Sequence, residues 1–273
     1  MKKLLALVLA ALMLLSFAAC SDEDDTTEDL KNYLEDEEVL DHVTLDNGDT
    51  YYFDLVDSET VTITAYRGSD AKHALAIPEK LDNKTVVGIS AQAFKDCTNI
   101  TALTMPNTIT TIESYAFSGC ALLVNVTLST GLKTLGEGAF HACSALSAIS
   151  FADTQLTKIA DHTFNSCISL SAVTVPAKVK SVGKGAFYGC AALATLTVEE
   201  GVEVIGQQAF QNCTALATLN LPTTLTSIGS LAFSGSDNLF EDSLDDLPEG
   251  ATVAKDYFAM DEHRLPERPA TAA

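Results

Sequence analysis

The residues of this chain best suited to chemistry are its seven cysteines. A thiolate can act as a nucleophile, bind a metal or pair as a disulfide, and spacing helps decide which. Cys97, Cys120, Cys143, Cys167, Cys190 and Cys213 follow one another at intervals of 23, 23, 24, 23 and 23 residues. None of these matches the short Cys-x-x-Cys spacing of a zinc site. In an exported protein, six cysteines would ordinarily point to disulfides. A period near 23 instead gives each one the same inward position in successive turns, about 4.8 Å apart. Parallel side chains stacked in this way do not readily reach the torsion of an S–S bond. The expectation is a column of six buried, reduced thiols, ahead of disulfides or a metal site. Ser236 takes the seventh place, which implies that the slot asks only for a small residue.

Other reactive residues are sparse or isolated. His141 and His162 occupy non-equivalent repeat positions, and no carboxylate recurs beside them. The five histidines therefore read as scattered surface residues. Asp46-Asn47-Gly48-Asp49 lacks the later oxygen ligands and closing Glu of a calcium loop. It reads as a hairpin turn between Val43–Leu45 and Tyr51–Phe53. There is no G-x-S-x-G, H-E-x-x-H or Gly-rich phosphate loop. Serines and threonines abound, but in columns with no base alongside. No catalytic residue, metal or cofactor is expected, and the chain reads as a non-enzyme. The segments flanking the repeats are too short to form a cleft alone.

Whatever holds the cysteines must repeat as they do. Phe94, Phe117, Phe140, Phe164, Phe187, Phe210 and Phe233 each stand three residues before a column Cys or Ser236. Ile100, Leu123, Leu146, Leu170, Leu193, Leu216 and Leu239 each stand three residues after it. Ala precedes every Phe except Phe164, where Thr163 stands. Self-similarity of this kind marks a solenoid whose units share one core. Leu219-Asn220-Leu221 alternates as a half-buried strand, which Pro222 ends for want of an N–H. Leu225 and Ile228 mark a second apolar segment, and Ala232-Phe233 turns the chain back. Equivalent first strands are 103–105, 126–128, 149–151, 173–175 and 196–198. The fold expected is a mostly β repeat solenoid, with two short strands and a turn per unit of about 23 residues. The fourth unit has one extra residue near Asp153–Gln155, which should form a small bulge.

The pattern resembles the BspA-type leucine-rich repeat family, whose unit reads approximately I-P-x-x-V-x-x-I-G-x-x-A-F-x-x-C-x-x-L. The likeness runs from Val61 through Tyr66, Ile77-Pro78 and Val86–Ile89 to Leu239. It implies a leucine-rich-repeat-like solenoid, and a role in surface attachment to host matrix proteins or other bacteria.

The chain carries a formal charge of −21, which argues against binding nucleic acid or docking by charge on an anionic membrane. That charge lies mostly in the flanks. Ser21–Asp41 holds eleven acids against Lys31, whereas His73–Leu239 balances eleven acids with eight lysines. Met1–Ala19, with two lysines and an apolar run from Leu4 to Leu15, reads as a secretory signal. Phe17-Ala18-Ala19-Cys20 resembles a bacterial lipobox, with Cys20 as the lipidated residue. The acids after Cys20 resemble an export signal of some Bacteroidetes lipoproteins, while the apolar run looks as much like a Gram-positive leader. The expected organisation is a signal over 1–19, an acidic tether over 20–41 and a β-hairpin cap over 42–72. Seven repeats follow over 73–239, then a degenerate repeat, cap and tail over 240–273.

Alternation along the first strands should point Thr104, Thr127, Ser150, Thr174, Thr197 and Asn220 outward. They form an uncharged strip of small residues, the candidate docking face for extracellular or host proteins. The reading is of a monomeric adhesion or interaction module anchored at the bacterial surface, touching the membrane only through its lipid. A glycan-binding lipoprotein of an uptake system is the alternative, for which Tyr115 and Tyr188 are the candidate exposed rings.

Overall fold

A strand only two to five residues long persists when neighbours pair with it on both sides. A computed structural model of the chain describes residues 41–68, 71–236, 238–239 and 252–253, and there most coils give their short strands to shared ladders. Among the described residues there is no helix.

The front is antiparallel. β1 (His42–Thr44) and β2 (Thr50–Leu55) form a hairpin across the expected turn, with Gly48 N–H donating to Leu45 O at 2.9 Å. β3 (Thr60–Arg67) pairs antiparallel with β2 and parallel with β6 (Lys84–Ile89), so it converts the cap into the solenoid, and β5 (Lys80–Leu81) pairs antiparallel with β6. From β6 a parallel ladder runs through β8 (Thr111–Ile112) and β10 (Thr134–Leu135). It resumes with β11 (Lys158–Ile159), β13 (Ser181–Val182), β15 (Val204–Ile205) and β17 (Ser227–Ile228). β18 (Thr252–Val253) pairs parallel with β17 as one further rung. The expected degenerate repeat and cap over 240–273, apart from Thr252–Val253, lie outside the described residues, as do the signal, the tether and Cys20.

The other ladder carries the first strands. β4 (His73–Ala76), β7 (Ile100–Thr104) and β9 (Asn125–Thr127) form one sheet, which a single bridge from Asn125 extends to Ala148. β12 (Ala172–Val175), β14 (Thr195–Val198) and β16 (Thr218–Asn220) form the next. Register moves by one repeat each time, so Val173, Leu196 and Leu219 stand side by side.

A third set of bonds runs along the turns. The residue two before each Phe has positive φ: Gln92, Tyr115, Gly138, His162, Gly185, Gln208 and Leu231. So does the residue two after it: Asp96, Gly119, Ala142, Ser166, Gly189, Asn212 and Gly235. Left-handed backbone costs an L residue roughly 1–2 kcal/mol, yet most of these positions are not Gly. The compensation is a spine of axial hydrogen bonds. Tyr115, Phe117 and Gly119 N–H donate to Glu137, Ala139 and His141 O, each at 2.8 Å. The same three bonds recur in every coil from Gln92 to Ser234.

Inside the spine the Phe rings stack. Centroids from Phe94 to Phe233 lie 4.8 to 5.6 Å apart, with planes within 20° of parallel. Tyr66 heads the column 4.8 Å from Phe94, so the cap already supplies a Phe-equivalent ring. Thr163, the exception beside Phe164, is buried and gives its hydroxyl to Ala160 O at 2.8 Å.

The fourth unit departs as its extra residue predicts. Neither ladder is continuous there: β10 does not pair with β11, nor 149–151 with 172–175. Thr154 tucks in with 2% exposure, its N–H and hydroxyl both donating to Phe151 O. Lys178 Nζ reaches across from the next coil to Ala152 O at 3.1 Å and Thr154 O at 2.6 Å. The turn spine continues past the bulge, with Phe140 N–H on Thr163 O and Phe164 N–H on Ala186 O.

Candidate functional site

The outer face of the first strands is built by alternation. Leu103, Val173 and Leu196 point into the core, while Thr104, Thr127, Ser150, Thr174 and Asn220 are exposed and Thr197 is half-exposed. Pairing sets Thr104 beside Thr127, and Thr174 beside Thr197 and Asn220. Asn220 Nδ2 donates to Thr197 Oγ1 at 3.4 Å. The six positions do not form the single strip expected from spacing. They fall into two paired groups with Ser150 in neither, because residues 149–151 join no sheet and the first-strand ladder opens between Ser150 and Thr174. The opening is a groove of about 270 Å³.

On the turn side, folding gathers residues that looked scattered. His141 and His162 lie close enough that burial, and then the His162 charge, lower the His141 pKa. Tyr115 faces the His141 ring at 6.5 Å and donates its hydroxyl to Glu137 Oε1 at 3.0 Å. Gly138 has no side chain because the Tyr115 ring of the preceding coil fills that space, and His162 does the same over Gly185. Tyr188 is half-buried, and its hydroxyl accepts from Asn212 Nδ2 at 3.1 Å. The two tyrosines therefore do not align as one platform of stacking rings.

A polar cluster at the front had no signal in the sequence, where Asp49 read as one more turn residue. Asp49 is 1% exposed, and its carboxylate accepts hydrogen bonds from the Tyr66 hydroxyl at 2.8 Å and from Asn47 Nδ2 at 2.7 Å. His73 Nε2 stands 3.0 Å from the Tyr66 oxygen and 3.6 Å from the Asp49 carboxylate. Tyr51 and Tyr66 are both held protonated far above the usual phenol range, chiefly by burial and then by Asp49. The cluster ties the β1–β2 turn to β3 and to His73 at the start of the first-strand ladder.

The thiol column is packing with a polar function. Cys120, Cys143, Cys167, Cys190 and Cys213 are free and buried, and each S–H donates to the Phe carbonyl of the preceding coil at 3.1 to 3.4 Å. Burial pushes Cys120, Cys167 and Cys213 up to about 12, and Cys143 and Cys190 well above the ordinary thiol value. A thiol so held is a poor nucleophile. Two expectations need correction. Cys97 is disulfide-bonded rather than reduced, and not to another sulfur of the column. It stands at the column's front end, with a stacked sulfur on one side only. Ser236 is buried with its hydroxyl unpartnered, so the slot suits a thiol rather than any small residue. The longer C–S bond lets sulfur reach a carbonyl that the shorter C–O bond does not. Among the described residues no group of three or more His, Cys, Asp or Glu is placed to hold a metal.

The comparisons with known proteins agree with this architecture. Six copies of the BspA type leucine rich repeat region match over residues 74–191 and 152–246. A leucine rich repeat protein of T. pallidum is 31% identical, the match covering 74% of this chain and 96% of that one, with a TM-score of 0.66. A leucine rich cell surface protein from Faecalibacterium prausnitzii is 33% identical over 74% of this chain, with a TM-score of 0.64. The match spans 54% of that protein. A leucine-rich repeat protein from Bacteroides ovatus is 25% identical over 74% of this chain and 46% of its own, with a TM-score of 0.51. No curated protein matches the chain.

Proposed function

The chain belongs to the BspA-type leucine-rich repeat family, and from that premise we propose that it is a non-catalytic interaction module of the bacterial surface. The observation that carries this reading is the outer strand face, where exposed, uncharged Thr104, Thr127, Thr174 and Asn220 ride on ordered parallel strands. Extended repeat surfaces suit large partners, because contacts add up across coils. The partners are host matrix proteins or other bacteria. The apolar leader at residues 4–15 directs export, and the acidic segment at residues 21–41 extends by self-repulsion. The cell-surface designation of the F. prausnitzii relative supports the location.

The glycan alternative has less support, since Tyr115 and Tyr188 engage Glu137 and Asn212 rather than presenting a shared ring platform. Binding of immobilised matrix proteins tests the proposal. A chain carrying Thr127→Lys and Thr174→Lys should bind about tenfold more weakly than the wild type, from desolvating two new charges. Equal binding by both would remove the outer face as the site.

A further inference from the structure

Most neighbouring first strands are closed by parallel pairing, but 149–151 belongs to neither sheet: the Asn125–Ala148 bridge ties its coil to the one before, and no bridge ties 149–151 to 172–175. Ser171 N–H still reaches Ser147 O at 3.3 Å, so the coils touch at one end and part beyond it. Among the described residues no backbone hydrogen bond joins the two edges. Ala152 N–H turns instead to Ser150 Oγ of its own strand at 3.4 Å. Thr154 and Lys178 hold the far end apart by binding the displaced carbonyls. The opening is thus a built feature, propped by named bonds.

We infer that this slot receives an extended polypeptide strand from the partner, on the face already proposed as the interaction surface and resting on that reading. The occupant follows from the walls. Facing strand edges offer backbone N–H and C=O groups, which an extended chain satisfies by strand addition. The floor is apolar, made by Ile149, Phe151 and Val173, and exposed Ser150, Ala172 and Thr174 form the rim. A volume of about 270 Å³ is small for a drug-sized ligand. The slot is about four residues long, roughly 13 Å at the rise of a strand. Among the described residues Glu199 is the one charged residue that lines it, an exposed side chain with Oε2 accepting from Ala177 N–H at 3.0 Å. The segment that fits is a short extended run of small uncharged residues with a Lys or Arg opposite Glu199.

The probe is a phage-displayed library of random dodecapeptides, selected on the full chain and counter-selected on a chain lacking Asp153. That deletion returns the fourth unit to the common 23-residue spacing and closes the slot, while every strip side chain stays. Ala172→Trp is the second blocking variant, filling the slot from the rim should the deletion fail to fold cooperatively. Selected peptides should carry a basic residue and bind both blocked chains at least about tenfold more weakly than the wild type. Methylating alternate backbone nitrogens of the peptide should abolish binding, and Thr127→Lys, outside the slot, should leave it unchanged. Failure to enrich any peptide that distinguishes wild type from the blocked chains overturns the inference, as do peptides indifferent to N-methylation. Matrix-protein binding by the blocked chains at wild-type strength would overturn the slot and leave the outer face standing. Loss in Thr127→Lys alone, with peptide binding intact, would separate the two sites.

Discussion

The turn spine and the outer strand face run through the same coils, yet one extra residue in the fourth coil interrupts only the strands. On the spine each coil is locked by three axial backbone bonds, a stacked Phe ring and, from Cys120 onward, a thiol on the neighbouring Phe carbonyl. The strand side has only short ladders, and its loops have room for Thr154. Stability is therefore concentrated on the turn side. Irregularity, and with it a distinctive binding shape, is left to the strand side.

The largest effect expected from this division is alkaline. Below pH 9 the column thiols are protonated whether the chain is folded or not, and their contribution is complete. From the ordinary value of 9.0 upward the unfolded chain releases protons that the fold retains to about 12. Stability should thus fall as pH rises from 9 towards 12, by up to about 1.4 kcal/mol per thiol per pH unit. Urea titrations at pH 8, 9 and 10 measure it, and a flat midpoint would mean the thiols are not desolvated. Next comes Phe187→Ala, in the middle of the ring stack, which should cost about 3–5 kcal/mol. Denaturation followed by circular dichroism would read that loss, with two separate transitions if the solenoid divides there. Smallest is Lys178→Met, which frees the Ala152 and Thr154 carbonyls and should cost about 1 kcal/mol. Amide exchange should then quicken across residues 149–155 and stay unchanged at Phe164. Faster exchange at Phe164 would show that spine and strands are one cooperative unit.

Much of the fold was legible because solenoid order is written into a period. Phe, Cys and Leu at fixed offsets marked the core columns, alternation around Thr104 and Thr174 marked the outward face, and the added residue at 153–155 marked the bulge. Gln92, Tyr115 and His162 gave no hint of left-handed backbone, since side chains of their kind do not ask for it. Axial hydrogen bonding forces it on them. The slot between Ser150 and Thr174 was equally hidden, because a one-residue excess says that strands must part and not where. Asp49 meets Tyr66 and His73, and His141 meets His162, only once coils and cap are stacked. A repeat's own residues determine which side chains are buried, since that depends on local periodicity. Which residues become neighbours across coils, and which strand edges stay open, is decided by how the coils settle on one another.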